Sequence, residues 1–322
     1  MIRSFYYHGA EVPATDLTRE QMRAALADAG GVLWVDMLAA NPESAEQILT
    51  RVFGFHPVAI SDCLQGVRRP KLDDYSDYVF FVIYADDQST PVEDVNAVEL
   101  DVFLGPNFVV THHPLPLPAI DWVVERAMKD ESLMPLGADI LTYEILRSVK
   151  LGYQPTVDYL SAAVAGVEVE VLTAPTGKTL HRMHELRHDV LKVRRILMPQ
   201  QTIMGRLVAD GLQPIAARNR LYFRELEDRF AQMVETTEML EESVRGAFRT
   251  HMSVVSSQNG RLLRLVAALV AILLSLMVLA LLRDTAAGAL STLGAPYTEA
   301  AGAGAILLVG LLLAAYIYRR NW

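Results

Sequence analysis

LVAALVAILLSLMVLALL, residues Leu265–Leu282, is 18 consecutive residues with no charge and one hydroxyl, Ser275. Wound as a helix it covers about 27 Å at roughly 1.5 Å per residue, close to the thickness of a bilayer core. A second uncharged stretch, Ala300–Tyr318 (AAGAGAILLVGLLLAAYIY), ends beside Tyr316, Tyr318 and Trp322, side chains suited to a membrane interface. The two read as a transmembrane hairpin: helix 1 at 265–282, a loop at 283–299, helix 2 at 300–318 and a tail at 319–322. Arg261 and Arg264 precede the first span, Arg319 and Arg320 follow the second, and the loop holds Arg283 alone. Positive flanks stay in the cytoplasm, so both termini are expected inside a cell (inner) membrane, with the loop outside. Small residues in the second span, Ala301 with Ala305 and Gly310 with Ala314, have a spacing that allows close helix contact.

Upstream of the hairpin the character changes. The chain has 322 residues, 52% of them apolar and 21% charged, which excludes a disordered or low-complexity protein. The formal net charge is −9; residues 259–322 hold five Arg, one Asp and one Glu (+3), so residues 1–258 carry −12. An acidic body argues against nucleic-acid binding. The single cysteine, Cys63, excludes an intramolecular disulfide framework and any multi-thiolate metal cluster. MIRSFYYHG at the start does not read as a secretory signal. No Walker loop, Gly-x-Ser-x-Gly, His-Glu-x-x-His or glycine-rich nucleotide turn is found, and nothing points to an enzyme or to catalytic residues.

Residues 1–215 are expected to form a cytosolic α/β and helical domain. Val32–Asp36, Tyr78–Tyr84, Val98–Leu104 and Phe108–Thr111 are short β-branched or aromatic runs bounded by turn residues. Amphipathic helices are expected near Arg19–Ala27, capped by Thr18, and near Ser44–Phe53. From residue 116 the pattern is helical, with breaks expected at Pro175–Gly177, Pro199 and Gly211–Pro214. A stalk helix at 216–264 then continues into the membrane. Its Phe223, Leu226, Phe230, Met233, Thr237, Leu240, Val244, Ala247, His251 and Val254 alternate spacings of three and four. Such a seam is compatible with packing on the same chain, but a helix roughly 100 Å long entering a membrane favours self-association about an axis.

Five blocks in order carry a family resemblance. Phe55–Tyr84 (FHPVAISDCLQGVRRPKLDDYSDYVFFVIY), Phe103–His112 (FLGPNFVVTH), His184–Pro199 (HELRHDVLKVRRILMP), Tyr222–Asp228 (YFRELED) and Tyr316–Trp322 (YIYRRNW) resemble the CorA-type magnesium and divalent cation transporter family. The resemblance implies a funnel-shaped homopentamer with an α/β cytosolic domain, long stalk helices and a two-helix hairpin in membrane lipid. It implies a pore for divalent cations, Mg²⁺ most often and Zn²⁺, Co²⁺ or Ni²⁺ in some branches, gated by cytosolic cation. No permanently bound cofactor is expected: Mg²⁺ or Zn²⁺ would be the transported or regulatory ion.

Sites follow from the same resemblance. Leu262, Leu265, Leu269, Leu273 and Leu276 are the expected pore lining, and Arg283 and Asp284 the pore mouth. The family's Gly-Met-Asn triplet falls near Arg283-Asp284-Thr285, and no Gly-x-Asn occurs in residues 259–322. Mg²⁺ surrenders its waters reluctantly and is best met by carbonyl and carboxamide oxygens, which an arginine ring does not offer. The alternative is therefore a membrane-anchored metal-sensing scaffold that does not transport. Asp86 or Asp87, with Glu225 in YFRELED, are the expected regulatory carboxylates; the competing reading is ordinary surface charge. His181, His184 and His188 share one helical face, a spacing that suits Zn²⁺, Co²⁺ or Ni²⁺ ligation, although a solvated or interface face of a helix is the favoured reading.

Overall fold

The computed structural model describes residues 1–9, 13–67, 69–89, 95–129, 133–209 and 212–289, with backbone alone described at 258, 259, 261 and 279–289. The second apolar stretch, the later part of the loop and the tail lie outside these residues. Two units are distinguished: Met1–Val171 with Thr176–Ala247, and Leu172–Pro175 with the chain from Phe248 onward.

The first unit is built on a seven-stranded sheet of β1 (Ile2–His8), β2 (Ala14–Thr15), β3 (Gly31–Leu38), β4 (Lys71–Asp74), β5 (Val79–Asp86), β6 (Ala97–Leu104) and β7 (Phe108–His113). Strand order is β2-β1-β3-β7-β6-β5-β4, with β3 and β7 parallel and every other pair antiparallel. The β6–β7 turn requires Gly105, because a Cβ there would run into the Phe108 ring. The four strands expected from sequence are all present. β1, β2 and β4 are additional; β2 has two residues, and β4 (KLDD) has one apolar residue among three charges, too little for a strand pattern.

Three short helices cover one face of the sheet: α1 (Arg19–Ala27), α2 (Pro42–Arg51) and α3 (Pro57–Gln65). Each start is specified locally. Thr18 and Gln21 form a reciprocal capping box, Asn41 accepts from Glu43 and Ser44, and the His56 ring accepts from the Val58 amide. Leu33, Val35, Phe80, Val82, Phe103 and Val110 from the strands pack with Met22, Ile48, Leu49, Phe55 and Cys63 from the helical side. The Phe55 and Phe103 rings stack at 4.2 Å.

Four helices follow: α4 (Pro118–Lys129), α5 (Ala138–Thr173), α6 (Gly177–Val208) and α7 (Arg220–Ala289). The Tyr153 hydroxyl in α5 donates to the Tyr84 carbonyl at 2.9 Å, and Arg206 in α6 donates to the Leu72 carbonyl at 2.6 Å, fixing both helices to the sheet. α7 joins them through Tyr143, whose ring lies 5.4 Å from that of Tyr222 and 6.2 Å from that of Phe223. Arg194 bridges α6 to Glu238 and Glu241 of α7.

Three expectations are corrected. The seam is not an unpartnered stripe awaiting another subunit: Phe223, Leu226, Phe230, Met233, Thr237, Val244 and Ala247 are buried within the chain's own first unit, where α5 and α6 supply apolar faces. Pro199 does not break α6, and Pro155 lies inside α5 in the same way. A mid-helix proline costs about 3 kcal/mol, but buried Val193 and Leu197 before Pro199, and Ile203 and Met204 after it, pack both halves into the core as one continuous helix. Finally, α7 does not end at 282: it continues to Ala289 through a proline-free, alanine-rich run, so Arg283 and Asp284 lie on the helix rather than in a loop. At its other end Ala217–Asn219 is a 3₁₀ turn, tied down by Asp139, which accepts from the Ala216 amide at 3.0 Å and the Asn219 side chain at 2.8 Å.

Candidate metal-handling sites

The apolar part of α7 is long and hydrophobic enough to cross a membrane: its best 18-residue window has a mean hydropathy of 2.3, and none of that window is buried. Leu262, Leu265, Leu269, Leu273 and Leu276, the expected pore lining, are all exposed, and so are Leu263, Val266, Val270, Leu274 and Met277 around the rest of the helix. Apolar side chains all round, not buried among the described residues, are what a lipid-embedded or self-associated helix presents. The side chains of Arg283 and Asp284 lie outside the described residues.

The expected regulatory carboxylates sit in three different settings within one chain. Asp86 ends β5 and is 8% exposed; burial raises its carboxyl above the usual range, although the Gln88 amide donates to it. Asp87 is partly exposed and accepts from the Ser89 amide and hydroxyl and from the Asn96 side chain. Glu225 on α7 is half exposed and holds Arg229 one turn on, at 2.6 Å. Among the described residues these three do not form one ion-sized cluster.

His181, His184 and His188 do share a feature. With Tyr159, Lys178 and Asp189 they line an open cleft of about 1030 Å³. His181 lies 3.2 Å from Glu185 and is largely exposed. The three imidazoles share a face as their spacing predicts, but they do not converge on a common point among the described residues.

Two clusters in the sheet went unread in the sequence. On the α4 side, Asp36 is fully buried and receives Thr111 Oγ1 at 2.6 Å, faces His113 Nε2 at 3.1 Å and pairs with Arg3 at 2.8 Å. Burial alone would raise the Asp36 carboxyl; His113, then Thr111 and Arg3, outweigh it and hold that carboxyl below its ordinary value. Arg3 also reaches Asp121 of α4 at 2.9 Å, so the cluster is a fully partnered structural network.

On the opposite face, Asp101 of β6 stands across from His112 of β7, and His112 Nδ1 lies 2.9 Å from Asp101 Oδ2. Cys63 of α3 completes the group: one donor atom from each residue lies within 4.8 Å of the other two. Burial pushes the Asp101 carboxyl up to about 7 against the pull of His112, and burial, then the Asp101 charge, push the Cys63 thiol up. The sequence does carry a signal for Asp101: VELDVFL places two acids, Glu99 and Asp101, on the same side of a strand whose other residues are apolar, and a charge buried there requires a partner.

This architecture has counterparts among known proteins. The family described as CorA-like Mg2+ transporter protein matches residues 29–319. YfjQ of Bacillus subtilis (strain 168), assigned as a metal ion transporter, is 31% identical over 206 residues, a match that spans 64% of this chain and 63% of that protein's length. Among solved structures, the full-length CmaX protein superposes with a TM-score of 0.74 at 18% identity, covering 99% of this chain and 97% of that one. The CorA magnesium transporter from Methanocaldococcus jannaschii superposes with a TM-score of 0.71 at 15% identity, covering 99% and 98%. At these identities the superpositions speak for the fold: an α/β domain with long helices.

Proposed function

This chain belongs to the CorA-like Mg2+ transporter family, a family of transporters rather than enzymes, and on that premise we propose that it passes a divalent metal cation across a membrane through a pore lined by α7. Mg²⁺ is the proposed cargo, with Zn²⁺, Co²⁺ and Ni²⁺ as related substrates. The observation that carries this reading is α7 itself. One unbroken helix has its first part built into the folded unit and ends in an exposed stretch of bilayer length.

The remaining parts of the proposal are finer. The assembly is a homopentamer in the cell inner membrane, α7 faces the axis through Leu262, Leu265, Leu269, Leu273 and Leu276, and the 300–318 stretch forms the second span. The excess of arginine at 261, 264, 319 and 320 supports cytoplasmic termini. A lining of leucine gates by dewetting, so conduction requires the ring to widen, with backbone carbonyls and Ser275 the polar help available. Glu225 of one subunit and Asp86 or Asp87 of its neighbour form the cytosolic cation sensor. Carboxylates suit Mg²⁺, a hard ion that binds through oxygen and retains waters.

One feature favours a second reading, a metal-sensing scaffold that does not transport. Arg283, Asp284 and Thr285 stand where Gly-Met-Asn is expected, on a helix that runs on to Ala289. Flux separates the two. The purified protein in liposomes with an inside-negative potential and an internal Mg²⁺ dye is expected to give flux above protein-free liposomes. Arg283→Gly, Asp284→Met and Thr285→Asn together should raise it. No flux from either form, in protein that is folded and oligomeric, overturns transport and leaves the scaffold.

A further inference from the structure

We propose that Cys63, Asp101 and His112 form an intrasubunit site for one borderline transition-metal ion, of which Zn²⁺ is the type, inside the α/β unit and separate from the pore and its carboxylate sensor. This inference goes beyond transport and does not rest on it.

The geometry comes first. Three elements deliver three different donors to one point: a thiol from α3, a carboxylate from β6 and an imidazole from β7. The antiparallel register sets Asp101 opposite His112, and the packing of α3 on that face brings the Cys63 sulfur to both, so that the donor atoms lie within 4.8 Å of one another. A tetrahedral ion with bonds of roughly 2.0–2.3 Å needs donors about 3.3–3.8 Å apart, so small side-chain rotations close the site.

Second, the site is incomplete as a hydrogen-bonded cluster. Asp101 is 1% exposed; its Oδ2 is occupied by His112, while Oδ1 is buried and accepts no well-formed hydrogen bond among the described residues. Buried carboxylate oxygens are normally satisfied, and one left open beside a thiol and an imidazole is placed to bind a cation. The neighbouring acid, Glu99, accepts from the Val67 amide at 2.8 and 2.9 Å, and its charge beside Asp101 adds to the local demand for a cation.

Third, the donor set is selective. A thiolate and a carboxylate carry two negative charges that a single dication neutralises, with neutral imidazole as the third ligand and a water completing four-coordination. Sulfur and nitrogen donors suit Zn²⁺ or Co²⁺ and are poor for Mg²⁺, which takes oxygen. The site therefore discriminates against the proposed cargo. Binding displaces the thiol proton, since a coordinating thiol is deprotonated outright. His112, whose side chain is 13% exposed, is the member nearest solvent and the route of entry.

The test uses the purified full-length protein, stripped with a chelator and titrated with Co²⁺ as a spectroscopic probe. A near-ultraviolet thiolate-to-Co²⁺ charge-transfer band saturating at about one equivalent per chain is expected, erased by a matching amount of Zn²⁺ and unaffected by excess Mg²⁺. Because Cys63 is the chain's one cysteine, such a band identifies its own ligand. C63S should abolish it, and D101N or H112Q should weaken Co²⁺ affinity by tenfold or more. Replacing His181, His184 and His188 with alanine should leave it intact. If folded wild-type protein binds no Co²⁺, or binds it with no thiolate band, the proposal fails. Where a variant does not fold, the wild-type spectrum alone decides, and because no readout is a flux, failure here leaves transport standing.

Discussion

The two stretches of α7 use apolar residues in opposite ways. From Phe223 to Ala247 they recur every third or fourth position, and nearly all are buried; from Leu262 to Val278 they occupy almost every position, and nearly all are exposed. A periodic stripe needs one partner along one face, and the chain supplies it through α5 and α6. An all-round apolar surface needs a surrounding medium or other helices around it, and the described residues do not bury it. Periodicity, rather than the mere number of apolar residues, separates a helix that folds on its own chain from one that depends on a membrane.

Large-to-small substitutions are the strongest way to break that contrast. Phe230→Ala removes a fully buried ring and should cost about 3–5 kcal/mol in unfolding of the detergent-solubilised protein. Leu269→Ala, at 60% exposure, should shift the same transition by less than about 0.5 kcal/mol. Equal effects at both positions would mean that the two stretches are held alike.

Acid probes the folded unit next. Asp36→Asn leaves Arg3 and His113 with a lost buried partner and should destabilise by about 3 kcal/mol near neutral pH. The Asp36 carboxyl is held below its ordinary value in the fold, so its contribution is full above the unfolded carboxylate range, near pH 4, and disappears as pH falls through the lower folded value. The gap between wild type and Asp36→Asn, followed by urea unfolding at several pH values, should therefore narrow toward acid. A gap that widens toward acid would contradict the assigned network.

What the sequence made legible follows the same division. The apolar run at 265–282 needs no tertiary knowledge, and four strands and two helices declared themselves by alternation, capping residues and bounding turns. Two things did not. Whether the Phe223–Ala247 stripe meets its own chain or a neighbour is fixed by where α5 and α6 lie, which no spacing states; Pro199, expected to break the helix by local chemistry, was overruled by the buried residues around it. The polar clusters around Asp36 and Asp101 depend on strand register, since Asp36 finds Thr111 and Asp101 finds His112 only when the sheet is assembled.

Smaller effects refine the picture. Arg194→Ala removes the α6–α7 bridge to Glu238 and Glu241, which is partly exposed, and should cost about 0.2–1 kcal/mol, less at high salt, in thermal unfolding with and without added NaCl. Glu225→Ala breaks only an exposed pair with Arg229 and should change stability by less than about 0.5 kcal/mol, while making flux less sensitive to internal Mg²⁺. Unchanged inhibition in that variant would remove Glu225 from the sensor.

The central claim, that the apolar part of α7 lines an ion path, is most directly tested by cysteine scanning through residues 262–278. The native Cys63 is buried, which keeps the background low. Single cysteines at Leu262, Leu265, Leu269, Leu273 and Leu276 should react with a membrane-impermeant cationic thiol reagent at low Mg²⁺ and block flux, while those at Leu263, Val266, Val270 and Leu274 stay protected. Protection at every position, or reaction without helical periodicity, would contradict a pore built on this helix.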